Sequence, residues 1–111
     1  MQSGYVAVCR VEDIDRESGV AALVAGQAVA VFRTYDDRIY ALSNFDPFAM
    51  ASVLARGIVG TRGDTVFVAS PVHKQAFDLC TGVCLDDDRV RVATFPVLVS
   101  DGVVLVGGAD P

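Results

Sequence analysis

The sequence predicts an all-β fold, a sandwich or small barrel, on three observations. Short runs rich in β-branched and aromatic residues recur along the chain, and turn residues separate them. At 111 residues with 52% apolar content, the chain is one domain long enough to close a hydrophobic core.

The elements follow in order. Tyr5-Val6-Ala7-Val8-Cys9 alternates and predicts a first strand. Gly19 to Val24 and Gln27 to Thr34 flank Ala25-Gly26, a hairpin turn. Asp36-Asp37 turns the chain into Arg38-Ile39-Tyr40-Ala41-Leu42, which completes an antiparallel meander with Val29, Val31, Ile39 and Tyr40 assigned to the core. From Asn44 to Gly57 the alternation lapses and Pro47 intervenes, so this stretch reads as a long loop with one short helix around Ala49 to Ala55. Strands resume at Ile58–Arg62, turn at Gly63-Asp64 and return as Thr65–Ala69. A second loop, Ser70 to Lys74, precedes a short strand from Gln75 to Asp78, and Thr81-Gly82 turns into a further strand, Val83-Cys84-Leu85. Phe95–Ser100, the hairpin signal Asp101-Gly102 and Val103–Val106 close the fold. The domain is expected to span residues 1–107, with 108–111 a loose tail.

Charge and cysteine usage exclude several classes of function. Nine basic against fourteen acidic residues give a formal charge of -5, and no basic run exists to neutralise phosphates, so a nucleic-acid partner is not expected. No window approaches the ~18 apolar residues of a membrane span, and the first residues lack the basic-then-apolar pattern of a signal peptide. A soluble, cytoplasmic protein without a membrane partner is the expectation. Three cysteines, Cys9, Cys80 and Cys84, do not form a disulfide framework. With His73 they would satisfy a Cys₃His zinc count, but no pair has the two-residue knuckle spacing, and small buried thiols are the better reading.

The two irregular segments, around Asp46 and around Ser70, stand out because strands in a compact β domain are usually joined by only a few residues. Ala41-Leu42-Ser43-Asn44, Gly57, Gly63-Asp64, Ser70-Pro71-Val72-His73, Phe77-Asp78-Leu79, Thr81-Gly82, Cys84-Leu85, Phe95-Pro96-Val97 and Asp101-Gly102-Val103 together resemble the framework of Rieske ferredoxins over nearly the whole chain. Asp46-Pro47-Phe48, Ser52 to Gly57, Ala69-Ser70-Pro71 and Lys74-Gln75 narrow the resemblance to the small subunit of the cytoplasmic NADH-dependent nitrite reductase.

That resemblance implies a Rieske-type β-sandwich or barrel, and it makes Asp46, Phe48, Ser70 and His73 the four degenerate cluster-ligand positions. A Rieske [2Fe–2S] centre takes two thiolates and two imidazoles. Asp46 offers a hard carboxylate, Phe48 nothing and Ser70 a neutral hydroxyl, so His73 alone cannot hold it. The chain is therefore expected to carry no cofactor and no metal, and no catalytic residue. In the family it resembles, the large subunit holds FAD, siroheme and a [4Fe–4S] centre and reduces nitrite to ammonium. This chain has neither a Rossmann fingerprint nor the four cysteines those steps need.

The implied role is that of a non-catalytic small subunit in nitrate assimilation, assembling with and supporting the nitrite reductase large subunit. The alternative from a different class is a stand-alone Rieske-type electron carrier or ligand-binding module, which a colourless purified protein would count against. Ser70, His73 and Asp46 could in principle form a hydrolytic triad, but geometry and not residue presence defines one. Asp86-Asp87-Asp88 has neither the glycine nor the distal glutamate of a calcium loop and reads as a solvated acidic turn. Phe45, Pro47, Phe48, Met50 and Val53 make the first loop unusually apolar. Phe48, Met50, His73, Lys74 and Gln75 are the residues expected to meet a partner.

Overall fold

The computed structural model describes residues 4–108. It contains β1 (Val6–Arg10), β2 (Ser18–Val24), β3 (Gln27–Arg33), β4 (Ile39–Ser43), β5 (Phe45–Asp46), β6 (Ala51–Ser52), β7 (Ile58–Arg62), β8 (Thr65–Ala69), β9 (Ala76–Asp78), β10 (Thr94–Phe95), β11 (Val97–Ser100) and β12 (Val103–Val106). All paired strands are antiparallel. The tail expected at 108–111 lies, beyond Gly108, outside the described residues.

Strand β3 is the centre of the molecule, and its sequence explains why. Val29 and Val31 point to one side and Ala30 and Phe32 to the other, and all four are fully buried. A strand covered on both faces loses the polar half of the alternation, which is why Ala28-Val29-Ala30-Val31-Phe32 is uninterruptedly apolar. The sheet order β10-β4-β3-β2 puts β3 between β4 and β2. Val29 and Val31 pack with Ile14, Ala41, Phe95, Val104 and Val106, the last two from the sheet β1-β12-β11. Ala30 and Phe32 pack with Leu42, Leu54, Val59, Val68 and Phe77, mainly from the sheet β7-β8-β9. The result is a sandwich with a shared middle layer, and burying Phe32 alone stabilises it by about 2–3 kcal/mol. Ile39 and Tyr40, placed in the core from sequence, are half-buried and join opposite clusters as the alternation of β4 requires.

The hairpins form where the turn residues indicated. Ala25 and Gly26 both have positive φ, 50° and 79°, the twist-matched geometry of a two-residue turn. Asp101 and Gly102, at 51° and 78°, repeat it.

Two expectations need correction. The stretch 44–57 is not a plain loop with a helix from Ala49: β5 and β6 pair through Phe45 with Ser52 and Asp46 with Ala51, and the helical turn is a single 3₁₀ turn, Leu54–Arg56. A two-residue ladder shows no period in sequence, and its strands are fixed by what they pack on. The expected strand Val83-Cys84-Leu85 survives only as isolated bridges, Phe77 to Cys84 and Val83 to Arg91. The turn-forming Asp87 accepts the backbone N–H groups of Arg89 and, through its own carbonyl, of Val90, and so bends the chain away from a longer ladder.

Gly57 sets the two irregular segments side by side. A Cβ there would stand 2.4 Å from the carbonyl oxygen of Ala69 and 2.7 Å from Val68 Cγ2, so only glycine lets the end of the first loop lie directly on β8.

Candidate functional site at the paired loops

The loops that follow β5 and β8 are built to one plan. Each starts with a polar residue followed by proline, Asp46-Pro47 and Ser70-Pro71. The polar side chain accepts the backbone N–H two residues on: Asp46 Oδ1 from Phe48 at 2.9 Å, Ser70 Oγ from Val72 at 3.2 Å. The carbonyl of the same residue accepts the N–H four residues on, from Met50 at 2.8 Å and from Lys74 at 3.1 Å. Met50 and Lys74 then take left-handed backbone, with φ of 55° and 66°.

A side-chain hydrogen bond joins the two starts. The Ser70 hydroxyl donates to Asp46 Oδ2 in a short contact, and neither residue has any exposed surface. Asp46 Oδ1 also takes the Ala49 N–H at 3.3 Å, so both carboxylate oxygens are occupied by the chain's own donors. Burial of a carboxylate is tolerable only when its lone pairs are satisfied in this way. Asn44, buried beside them, braces the first loop: its side chain donates to the Ser52 carbonyl at 3.3 Å and accepts the Ala55 N–H at 2.7 Å. In the sequence Asn44 stands within a motif without an evident role, and its buried amide supplies one.

The residues singled out from sequence fall into two groups. Asp46 and Ser70 meet in the interior, while His73, Lys74 and Met50 are exposed on the loops. Phe48 belongs with the interior. It is half-buried and its ring lies 6.1 Å from that of Phe77, tilted by 48°, against the cluster that holds Leu54 and Val68. Phe48, expected at a partner contact, is thus engaged in packing on its inner side, while Phe45, Ile58 and Val72 are exposed. Gln75 is half-buried, and its Oε1 is a buried acceptor with no donor among the described residues.

A triad does not assemble. The Ser70 hydroxyl donates its hydrogen bond to Asp46 and is sealed from solvent, whereas His73 is exposed. Nor do the zinc candidates converge: no three His, Cys, Asp or Glu side chains among the described residues form a metal-holding group. Cys84 is buried, Cys9 half-buried and Cys80 exposed. Cys80 lines a cleft of about 330 Å³ with Tyr35, Arg38 and Tyr40. That cleft lies at the start of β4, the end away from the loops. Contact with Cys80 and burial raise the Tyr40 phenol above its ordinary value. The acidic run is divided in its uses: Asp86 caps the Ala76 N–H at 2.8 Å, and Asp87 pairs with Arg89 at 3.0 Å, which holds its carboxyl below the usual range.

Residues 4–107 match the family described as the Rieske-like [2Fe-2S] domain. The nitrite reductase (NADH) small subunit of Salmonella typhimurium is 43% identical over 107 residues, which cover 96% of this chain and 99% of that one. The solution structure of the NAD(P)H nitrite reductase small subunit from Erwinia carotovora superposes with a TM-score of 0.82 at 47% identity, covering 99% of this chain and 85% of that one. A third relative is the NAD(P)H nitrite reductase large subunit of Klebsiella oxytoca, 37% identical over 103 residues that make up 93% of this chain but only 11% of that protein.

The donor set here does not fit the [2Fe–2S] cluster for which the domain family is described. Asp46 and Ser70 are hydrogen-bonded to each other, Phe48 has no donor atom and faces Phe77, and one imidazole remains where two thiolates and two imidazoles are required. What the arrangement does chemically is hold two loops together through a buried side-chain hydrogen bond.

Proposed function

The chain belongs to the family of nitrite reductase (NADH) small subunits, built on the Rieske-like domain, and from that premise we propose that it is the non-catalytic small subunit of an NAD(P)H-dependent nitrite reductase. The observation that carries the reading is the full-length match to a small subunit, with 96% of this chain and 99% of the relative aligned. It assembles with a large subunit and supports it, while the large subunit supplies the FAD, siroheme and [4Fe–4S] chemistry that reduces nitrite to ammonium in nitrate assimilation. This chain contributes no cofactor and no catalytic group. The degenerate ligand positions support that division, since a domain unable to hold the cluster has no redox group to relay electrons with. The family resemblance supports a cytoplasmic complex. No helix among the described residues is long and apolar enough to cross a membrane.

The test is NADH-dependent nitrite reduction by the large subunit of the same organism, expressed with and without this chain, with co-elution followed on the same samples. Association together with higher activity or a longer half-life in the presence of the chain supports the reading. Equal activity, equal half-life and separate elution reject it.

A further inference from the structure

The two loop tips carry a surface that their internal structure does not need. Met50 is 72% exposed and Val72 51%, each on one of the paired loops, and Phe45 and Ile58 lie exposed on the strands beside them. Four of the nine large exposed hydrophobic residues among those described are therefore gathered at one end of the molecule. Charge is segregated there as well. Residues 47–57 and 71–77 contain Arg56, His73 and Lys74 and no carboxylate, in a chain whose net charge is -5. Asp46, at the base of the first loop, is buried with both carboxylate oxygens hydrogen-bonded, and the Asp86 carboxylate caps the Ala76 N–H at the end of the second loop. Gln75, at the end of the second loop, keeps a buried acceptor without a donor among the described residues, a group that a bridging donor would satisfy.

We propose that these tips are the docking face for the large subunit, an apolar platform of Met50, Val72, Phe45 and Ile58 edged by Lys74 and Arg56, which fits an apolar patch bordered by carboxylates. The inference rests on the small-subunit reading above. Its occupant is argued from the Klebsiella oxytoca relative, in which the counterpart of this chain is 11% of a large-subunit polypeptide. There the counterpart and the rest of the large subunit are one polypeptide, which covalent linkage holds at high effective concentration. A separate chain has no such linkage and must associate through a surface, and the tips are where exposed apolar area and local positive charge coincide in an otherwise acidic molecule.

The experiment titrates the cofactor-loaded large subunit with the full-length chain and its variants by calorimetry, and measures urea unfolding of each variant alone. Met50→Asp and Val72→Asp are each expected to weaken association at least about tenfold, as burying an uncompensated charge in an interface does. Both side chains stand mostly in solvent, so the urea midpoint should not move. Lys74→Glu should weaken binding more at low salt than at high salt. Leu23→Asp, at a 73% exposed position on β2, should bind within about twofold of wild type. If wild type binds and both tip variants bind equally well, the docking face is wrong while the subunit reading stands. If wild type itself does not bind, the subunit reading fails first. Dimerisation of the isolated chain that Met50→Asp abolishes would assign the platform to a second copy and overturn the proposal.

Discussion

Ser70 donates its hydroxyl hydrogen to the carboxylate of Asp46 across 24 positions of sequence, and both residues are fully buried. The bond fastens the loop after β8 to the loop after β5, and each partner also organises its own loop through backbone N–H groups. Ser70→Ala removes the donor and leaves Asp46 Oδ2 buried without a partner. A loss of about 1–3 kcal/mol in unfolding free energy is expected. Urea denaturation followed by circular dichroism measures it, and a midpoint within error of wild type would show that the pair is not a fastening.

Phe48 should act on folding and not on association. Its ring packs against Phe77 and the cluster around Leu54, so Phe48→Ala is expected to lower stability by about 2 kcal/mol, below the full cost of a completely buried ring. Binding to the large subunit, measured below the unfolding transition, should change little. Large loss of affinity with an unmoved urea midpoint would reverse this assignment.

Acid should remove one contribution to stability that is local to Asp37. Arg16 and Arg33 hydrogen-bond its carboxylate at 2.8 and 2.9 Å, and the Arg16 contact is the larger reason its pKa lies below the ordinary value. A carboxyl whose folded pKa is depressed contributes stability that is complete above the unfolded value, about 3.9, and is lost as pH falls through the folded one. The difference in urea midpoint between pH 6 and pH 3 should therefore be smaller in Asp37→Asn than in wild type. An equal or larger difference in the variant would place the acid sensitivity elsewhere.

Anaerobic incubation of the purified chain with iron, sulfide and reductant should yield a protein with no visible charge-transfer bands. The donor set at Asp46, Phe48, Ser70 and His73 lacks both thiolates that the cluster needs. Stoichiometric iron and sulfide after gel filtration, with a visible spectrum, would overturn the fit argument.

Local turn chemistry makes most strands legible in the amino-acid sequence. Gly63-Asp64 and Asp101-Gly102 mark the turns of their hairpins, and β7, β8 and β12 fall where the alternation puts them. The first loop is not legible in this way, because β5 and β6 are too short to show a period and are fixed by burial of Asp46 and by the bracing of Asn44. At the site, resemblance names the four degenerate positions, but the roles of three of them emerge only in three dimensions. The Asp46 to Ser70 bond joins residues with no sequence relation, and Phe48 turns inward because Phe77 stands opposite. The stretch Val83 to Leu85 misleads in the opposite direction, since local β character does not find a long enough partner strand.

The left-handed backbone at Met50 and Lys74 bears on how stable this chain can be by itself. Glycine would take that conformation without the roughly 1–2 kcal/mol steric penalty that a Cβ incurs. Two outward-facing side chains stand there instead, where each turn closes. Met50→Gly and Lys74→Gly would be selected in a screen for robustness of the isolated chain. The isolated chain therefore stands slightly short of the stability its own fold could reach.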